Sequence, residues 1–183
     1  MDIILMKKNY ISEIQKSMKM LSKVKNTIFL GQSVKYPGSS IYESLKYVPQ
    51  SKRLELPVLE DAQMGMTFGL ALEGFFPVSC FPRYDFLILG LNQLINHLDK
   101  VNYLTNNNFK SRIFIRTMIG STKPLNAGPQ HTQDLTAGLK KILTYIEIIE
   151  IKKNTEIYKI YKKNLKNKKK ILLFVEDGNL YNS

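Results

Sequence analysis

Two adjacent carboxylates open an almost uncharged helical segment in LELPVLEDAQMGMTFGLALEG, residues 54–74. Glu60 and Asp61 follow a short apolar run that is interrupted at Pro57. A helix N-terminus favours negative charge, and either acid can satisfy that preference. An acid beside so apolar a helix is expected to be partly desolvated, which favours its neutral form and suits it to proton exchange. Glu60 is therefore a candidate catalytic acid, with a helix-terminal carboxylate as the alternative.

An aromatic residue and a histidine are the other candidates. Phe86 follows the strand-like run FFPVSCF, residues 75–81, where its ring could stack on a flat ligand. The alternative is a core aromatic, with Asp85 as a helix cap. His131 lies in the polar stretch GPQHTQD and is the better acid–base candidate of the two histidines. His97 falls within an apolar helical pattern and is expected to be structural.

Other catalytic motifs are missing from the sequence. It contains no Walker loop, no GxSxG elbow and no Cys–His spacing typical of a metal site. EDGN, residues 176–179, resembles the start of a metal–pyrophosphate motif. It lies so near the end of the sequence that we expect a turn after the last strand instead.

Composition predicts one domain without a membrane span. The chain has 183 residues, of which 44% are hydrophobic and 23% charged, and a net charge of +12. The basic residues concentrate in 151–170, a pattern that fits either a solvated helix face or a nucleic-acid site. No nucleic-acid-binding signature supports the second reading. Cys80 is expected to be buried and reduced. Without a recognisable leader or span, a cytoplasmic location is expected.

Strand-like and helix-like segments alternate along the chain. The pattern predicts helices over 10–23, 61–72, 85–104 and within 151–170, and strands over 27–31, 53–56, 75–81, 112–117, 144–151 and 170–176. This alternation predicts an α/β fold with a mainly parallel sheet and helices on both faces. Ligands of such sheets bind at the carboxyl ends of the strands, so the loops after Leu56, Phe81 and Thr117 should carry the site.

The order of several motifs resembles a known family. The stretches are IFLGQSV, the Glu60 segment, DFLILGLNQLINHLDKVNY, IFIRTMIG, GPQHTQ and ILLFVEDGNLY. Together they resemble the pyrimidine-binding domain of transketolase-like thiamine diphosphate enzymes. The greatest similarity is to the beta subunit of the first component of 2-oxo acid (pyruvate) dehydrogenase complexes. The resemblance covers about residues 9–181.

The resemblance implies a role for each candidate residue. Glu60 ends Pro57-Val58-Leu59-Glu60, which matches the family's Pro-Ile-Ser-Glu, and would hydrogen-bond N1′ of the aminopyrimidine. Phe86 would pack on that ring, and His131 matches the active-site histidine of Gln-His-Ser-Gln. Glu60 and His131 would thus be catalytic, Glu60 and Phe86 would bind thiamine diphosphate, and this chain would supply no metal ligand. An acid at N1′ favours the imino tautomer that takes the proton from the thiazolium C2.

The sequence departs from the family in three places. The family's acidic Gly-Glu-Asp/Glu-Val reads Gly31-Gln32-Ser33-Val34 here, with both acids lost. The segment after His131 is short and lysine-rich where the family has a Pro-Gly pair. We expect residues 1–183 to form a single pyrimidine-binding domain, without the family's C-terminal domain or its pyrophosphate and magnesium domain.

These features imply one subunit of a split enzyme. A separate partner chain would bring the pyrophosphate and Mg²⁺ site, in a heterotetramer or through self-association. The substrate would be a small 2-oxo acid or a ketose, and the reaction decarboxylation, or acyl or ketol transfer. The alternatives are a two-subunit transketolase, a simple 2-oxo acid decarboxylase, and a non-catalytic binding or regulatory module of the same fold. The motif order argues against nucleic acid as a partner, and no membrane is expected.

Overall fold

Parallel strands form a sheet through the middle of the molecule. The computed structural model describes residues 9–123, 126–167 and 170–181. Its strands are β1 Thr27–Gly31, β2 Arg53–Glu55, β3 Phe76–Cys80, β4 Ile113–Ile119, β5 Glu147–Ile151 and β6 Ile171–Asp177. Within these ranges they form a six-stranded sheet in the order β2-β1-β3-β4-β6-β5, with every pair parallel. The predicted α/β class with a mainly parallel sheet is confirmed.

Helices connect the strands. They are α1 Tyr10–Ser22, α2 Ser40–Ser44, α3 Glu60–Leu72, α4 Tyr84–Leu87, α5 Val101–Leu104, α6 Thr136–Ile142 and α7 Ile157–Leu165. Short 3₁₀ turns occupy Gln50–Lys52, Ile88–Gly90 and Gly178–Leu180, and a π-helical turn occupies Gln93–Leu98. The turn at Gly178–Leu180 agrees with the interpretation of EDGN. In the described part of the chain, no helix is both long and apolar enough to cross a membrane.

The sheet separates two apolar layers. Side chains alternate along a strand, so Ile113 and Ile115 of β4 join one layer while Phe114 joins the other. Helices α1, α2 and α7 cover the layer that contains Phe114. Helices α3, α4, α5 and α6 cover the layer that contains Ile113. Both faces of the sheet are therefore covered, as the parallel topology requires.

Local signals explain why α1 starts and packs where it does. The Asn9 side chain accepts a hydrogen bond from the Ser12 backbone N–H at 2.9 Å, which caps the first turn. Ile14, Met18 and Leu21 recur at helical spacing and are fully buried. The helix was predicted over 10–23 and ends one residue earlier, at Ser22.

The segment predicted as one helix over 85–104 is helical along its length but is not a regular α-helix. The segment is divided into α4, the turn at Ile88–Gly90, the π-helical turn and α5. Asp85 is not a cap, because Arg83 occupies the N-cap position and Asp85 lies buried inside α4. Within this segment Gly90 packs closely on α3, because a Cβ there would lie 3.1 Å from the Glu60 carbonyl oxygen. Apolar periodicity does not report such a close approach to α3.

A buried carboxylate explains why β5 begins three residues later than predicted. The backbone N–H groups of Thr144, Tyr145 and Ile146 donate to Asp99 at 2.8–3.1 Å instead of to a neighbouring strand. Burial opposes the charge of Asp99, but hydrogen bonds from Lys100 and from these N–H groups lower the pKa of its carboxyl group. The side chain therefore stays ionised and holds the strand entrance in place.

Three further segments differ from prediction or lie outside the description. Helices α2 and α6 were not predicted, because the polar residues before them read as loop. The lysine-rich helix is shorter than 151–170 and runs Ile157–Leu165 as α7. Residues 168–169 of that stretch, 124–125 of the polar loop and 1–8, which concern the expected lack of a leader, lie outside the described ranges.

A buried ion pair joins β4 to β6. Arg116 donates from Nε to Glu176 Oε1 at 2.8 Å and from Nη2 to Oε2 at 3.0 Å, and both side chains are buried. Glu176 also accepts from the hydroxyls of Tyr161 and Tyr181, and Arg116 Nη2 reaches Ser44 Oγ at 3.2 Å. Burial opposes the charge of Arg116, yet the Glu176 carboxylate raises its pKa well above the usual value. The network ties α2, α7 and the last turn to the sheet.

Removing the charge of Glu176 should destabilise the whole fold. In Glu176→Gln the buried Arg116 guanidinium loses its counter-charge, and breaking such a pair costs about 3–5 kcal/mol of unfolding free energy. Urea unfolding followed by circular dichroism measures the loss. Lys140→Gln, which breaks an exposed pair with Glu150, should cost less than about 1 kcal/mol. Equal losses would contradict the central role of the buried pair.

Candidate functional site

Glu60 and Asp61 occupy different environments at the start of α3. Glu60 is the first residue of the helix and is only 3% exposed, whereas Asp61 is exposed. Glu60 Oε1 accepts a hydrogen bond from Gln32 Nε2 at 2.8 Å. Its Oε2 has no hydrogen-bond partner among the described residues. Glu60 thus keeps one carboxyl oxygen available to a ligand, while Asp61 serves the exposed helix terminus.

A second glutamate, which the sequence did not single out, shapes the loop that carries Gln32. Glu55, at the end of β2, accepts backbone N–H bonds from Ser33, Val34 and Lys35 at 2.6, 2.8 and 2.7 Å. Ser33 adopts a φ of 55°, which turns these N–H groups toward one carboxylate. Its position near the carboxyl end of a predicted strand was the signal from which Glu55 could have been selected. Gln32, at the position where the resemblance leads us to expect an acid, donates to Glu60.

Gln63 fixes the first turn of α3 to the sheet behind Glu60. The side chain is buried, and its Nε2 donates to Ser79 Oγ at 3.0 Å and to the Cys80 carbonyl at 3.1 Å. Gly31 allows this approach, because a Cβ at that position would lie 2.2 Å from the Cys80 carbonyl oxygen and 2.9 Å from Gln63 Nε2. The position of Glu60 is therefore set by β1 and β3.

Phe86 and His131 meet directly. Their ring centroids lie 5.6 Å apart with an interplanar angle of 88°, an edge-to-face contact. Both side chains are half-buried. Phe86 lies within α4, which Tyr84 and Leu87 anchor in the core, and burial raises the pKa of Tyr84 to about 12. The two candidates, which are 45 positions apart in the sequence (131 − 86), therefore form one aromatic wall.

Two hydrogen bonds hold the His131 loop against α4. Arg83 Nη1 donates to the His131 carbonyl oxygen at 2.9 Å, and Gln133 Nε2 donates to Asp85 Oδ1 at 2.8 Å. Asp85 Oδ2 is buried without a partner among the described residues. At Gly120 a Cβ would lie 1.9 Å from the His131 carbonyl oxygen, so only glycine fits beside the loop. Arg83, Asp85, Gly120 and Gln133 position His131, and the sequence reading missed these roles.

The structure relates Glu60 to this wall through the turn at Ile88–Gly90. Gly90 packs on the Glu60 carbonyl and lies one helical turn beyond Phe86. The described contacts include no direct one between the Glu60 side chain and either Phe86 or His131. The site therefore consists of a carboxyl group and an aromatic wall on the same edge of the sheet, linked by the backbone of the α4 region.

Cys80 and His97 are the remaining residues with reactive side-chain types. Cys80 is buried, as expected, and burial raises the pKa of its thiol to about 11, which makes it a poor nucleophile. His97 lies exposed on the π-helical turn rather than packed in the core.

Known proteins resemble this chain in sequence and in fold. The pyruvate dehydrogenase E1 component subunit beta of Gracilaria tenuistipitata var. liui is 31% identical over 121 residues, which is 64% of this chain and 36% of that protein. The same subunit of Cyanidium caldarium is 28% identical over 166 residues, 88% of this chain and 49% of that protein. The transketolase of Campylobacter jejuni superposes with a TM-score of 0.69 at 16% identity, covering 91% of this chain and 25% of that one.

The chain is similar in sequence to these beta subunits and has the fold of transketolase. No family model matches it. The chain spans about half the length, or less, of the curated relatives it matches. The likeness to transketolase concerns the fold. The resemblance inferred from the order of short motifs is confirmed by these similarities, and the predicted fold class is confirmed.

Loosening the loop at Gln133 should expose the His131 backbone. In Gln133→Ala, Asp85 Oδ1 loses its amide donor, and we expect faster hydrogen exchange at residues 131–134, about tenfold for loss of one hydrogen bond to a charged group. Hydrogen exchange read by NMR on the full chain measures it. Gln130→Ala changes an exposed glutamine on the same loop and should leave exchange unaltered. A similar rise in both variants would show that the loop is not held by Asp85.

Proposed function

We propose that this chain is the pyrimidine-binding subunit of a thiamine diphosphate-dependent enzyme that acts on a small 2-oxo acid or a ketose. The observation that carries the proposal is Glu60. Its carboxyl group is buried at the mouth of a weakly charged helix, with Oε1 engaged by Gln32 and Oε2 left without a described partner. A carboxyl group with one oxygen left open can exchange a proton with a ring nitrogen that lies within hydrogen-bonding distance.

The donor set fits an aminopyrimidine. Glu60 Oε2 would hold the proton shared with the ring nitrogen, and Gln32 would keep the carboxyl group oriented. Phe86 would pack on the ring, and its edge-to-face contact with His131 would fix the imidazole. His131 would orient the carbonyl substrate. Bound thiamine diphosphate supplies the carbanion chemistry of cleavage next to a carbonyl, and the protein supplies geometry and proton control.

An exposed apolar surface beside Glu60 supports a partner chain. Val58 and Leu59, directly before Glu60, are 71% and 59% exposed, and Leu89, beside Gly90, is 65% exposed. Met66 and Leu72 of α3 add further exposed apolar area. Large apolar side chains grouped on a surface mark interaction sites. The partner would carry the pyrophosphate and Mg²⁺ site, in a heterotetramer, and the matched relatives are themselves named as subunits.

A two-subunit transketolase is the second candidate. The fold superposes on transketolase over 91% of the chain, which supports ketol transfer as well as 2-oxo acid chemistry. Assaying the assembled enzyme with a 2-oxo acid and with a ketose phosphate separates the two reactions.

Glu60→Gln should abolish turnover, whereas Asp61→Asn should not. We expect a loss of at least about 100-fold for Glu60→Gln, since a positioned acid contributes about 10²–10⁴-fold, and a change within about threefold for exposed Asp61. The measurement is turnover by this chain co-expressed with a candidate partner that carries Gly-Asp-Gly followed further on by Asn. Equal losses from both variants would show that the proton relay is assigned to the wrong residue.

The chain alone should bind thiamine diphosphate weakly. It would hold the pyrimidine but not the pyrophosphate, so the affinity in titration calorimetry should rise at least about 100-fold when the partner and Mg²⁺ are added. Phe86→Ala should lower that affinity in the assembled pair, while Phe75→Ala, a change of an exposed ring, should leave it unaltered. Tight magnesium-dependent binding by the isolated chain would contradict the split site.

A further inference from the structure

A small cavity opens next to the His131 loop. It has a volume of about 200 Å³ and is lined by Arg83 after β3, by Met118 and Ser121 at the end of β4, and by Ser39 and Ile41. Its wall therefore comes from loops and strand ends at the carboxyl edge of the sheet, where parallel α/β sheets bind ligands.

Arg83 brings a positive charge with spare donors to this cavity. A guanidinium has five N–H donors, and the described hydrogen bonds of Arg83 engage only Nη1, on the His131 carbonyl. The side chain is half-buried, and among the described residues that line the cavity there is no aspartate or glutamate. The charge of Arg83 thus faces hydroxyl and apolar neighbours without a counter-ion.

We propose that Arg83 and the Ser121 hydroxyl bind the anionic end of the substrate. The proposal rests on the proposed function and deepens it, because a 2-oxo acid and a phosphorylated ketose both carry such a group. A 2-oxo acid ends in a carboxylate and a ketose phosphate ends in a phosphate, and a planar guanidinium binds both through paired N–H donors. The Ser121 hydroxyl supplies a further donor, whereas the Ser39 hydroxyl already donates to the Ser33 carbonyl oxygen.

The size and place of the cavity match this role. Its volume is several times the roughly 30 Å³ that a water molecule occupies in the liquid and lies below the roughly 300 Å³ at which drug-sized sites begin. It is therefore large enough for a carboxylate or phosphate group. Because the same guanidinium donates to the His131 carbonyl oxygen, the cavity adjoins the loop that carries the imidazole.

Anion titrations of the full chain, without cofactor or partner, test the inference. Inorganic phosphate and pyruvate are added separately at constant ionic strength, and NMR follows the Arg83 Nε–H and the amides of Ser39, Gly120 and Ser121. We expect saturable shifts confined to these groups. The anion with the lower dissociation constant identifies the kind of substrate end that the cavity accepts.

Three variants separate a specific site from general attraction to a basic chain. Arg83→Gln should weaken binding at least about tenfold, the loss of a charge-assisted hydrogen bond. Ser121→Leu, which fills the cavity without changing charge, should weaken it similarly and keeps the test valid if Arg83→Gln disturbs the loop. Lys35→Gln removes the same charge from an exposed residue outside the cavity and should change binding by less than about twofold.

Either of two results would overturn the inference. One is no saturable shift with either anion in the unaltered chain. The other is an equal loss from Lys35→Gln and Arg83→Gln, which would make net charge the cause. Since the titration needs neither cofactor nor partner, anion binding by a chain whose assembled pair is inactive would refute only the proposed function. Turnover by a pair whose chain binds no anion would refute only the inference.

Discussion

The buried pair between Arg116 and Glu176 is the interaction on which the rest of the structure depends. It lies between β4 and β6, adjacent strands in the six-stranded sheet, and draws in side chains from α2, α7 and the last turn. Two full charges in an apolar layer tolerate little displacement, because each has lost its water and depends on the other. The pair therefore fixes the end of β4. Gly120 follows that strand end, and the His131 loop packs against Gly120.

From that fixed base, short contacts assemble the site along one edge of the sheet. Glu55 folds the loop that presents Gln32, Gln63 holds α3 to β3, and Arg83 holds the loop of His131. Each contact joins elements that are distant in sequence. The parallel arrangement makes this possible, since all strands end at the same edge and their loops face one another.

Much of the fold could be predicted because its signals are local. Asn9 caps α1, apolar spacing defines its buried face, and β1 was predicted with its observed bounds. The sequence did not predict the changes of helix type within the 85–104 segment or the close contact of Gly90 with α3. Nor could it predict the late start of β5, which depends on a carboxylate about 45 residues away. Of the site, residue types and family resemblance indicated Glu60, Phe86 and His131, whereas Arg83, Glu55 and Gln133 act through distant partners.

The bond from Gln32 to Glu60 has a consequence for the route of protons. A carboxylate only accepts hydrogen bonds, so the Gln32 amide nitrogen faces it, and a primary amide acts neither as an acid nor as a base near neutral pH. Gln32 therefore cannot take a proton from Glu60 Oε1 or give one to it. An acidic side chain at position 32 could have done so. Among the described residues, Glu60 Oε2 has no hydrogen-bond partner that could pass a proton on. Protons would therefore reach and leave Glu60 through Oε2 alone. A site built this way would return each proton by the path on which it arrived.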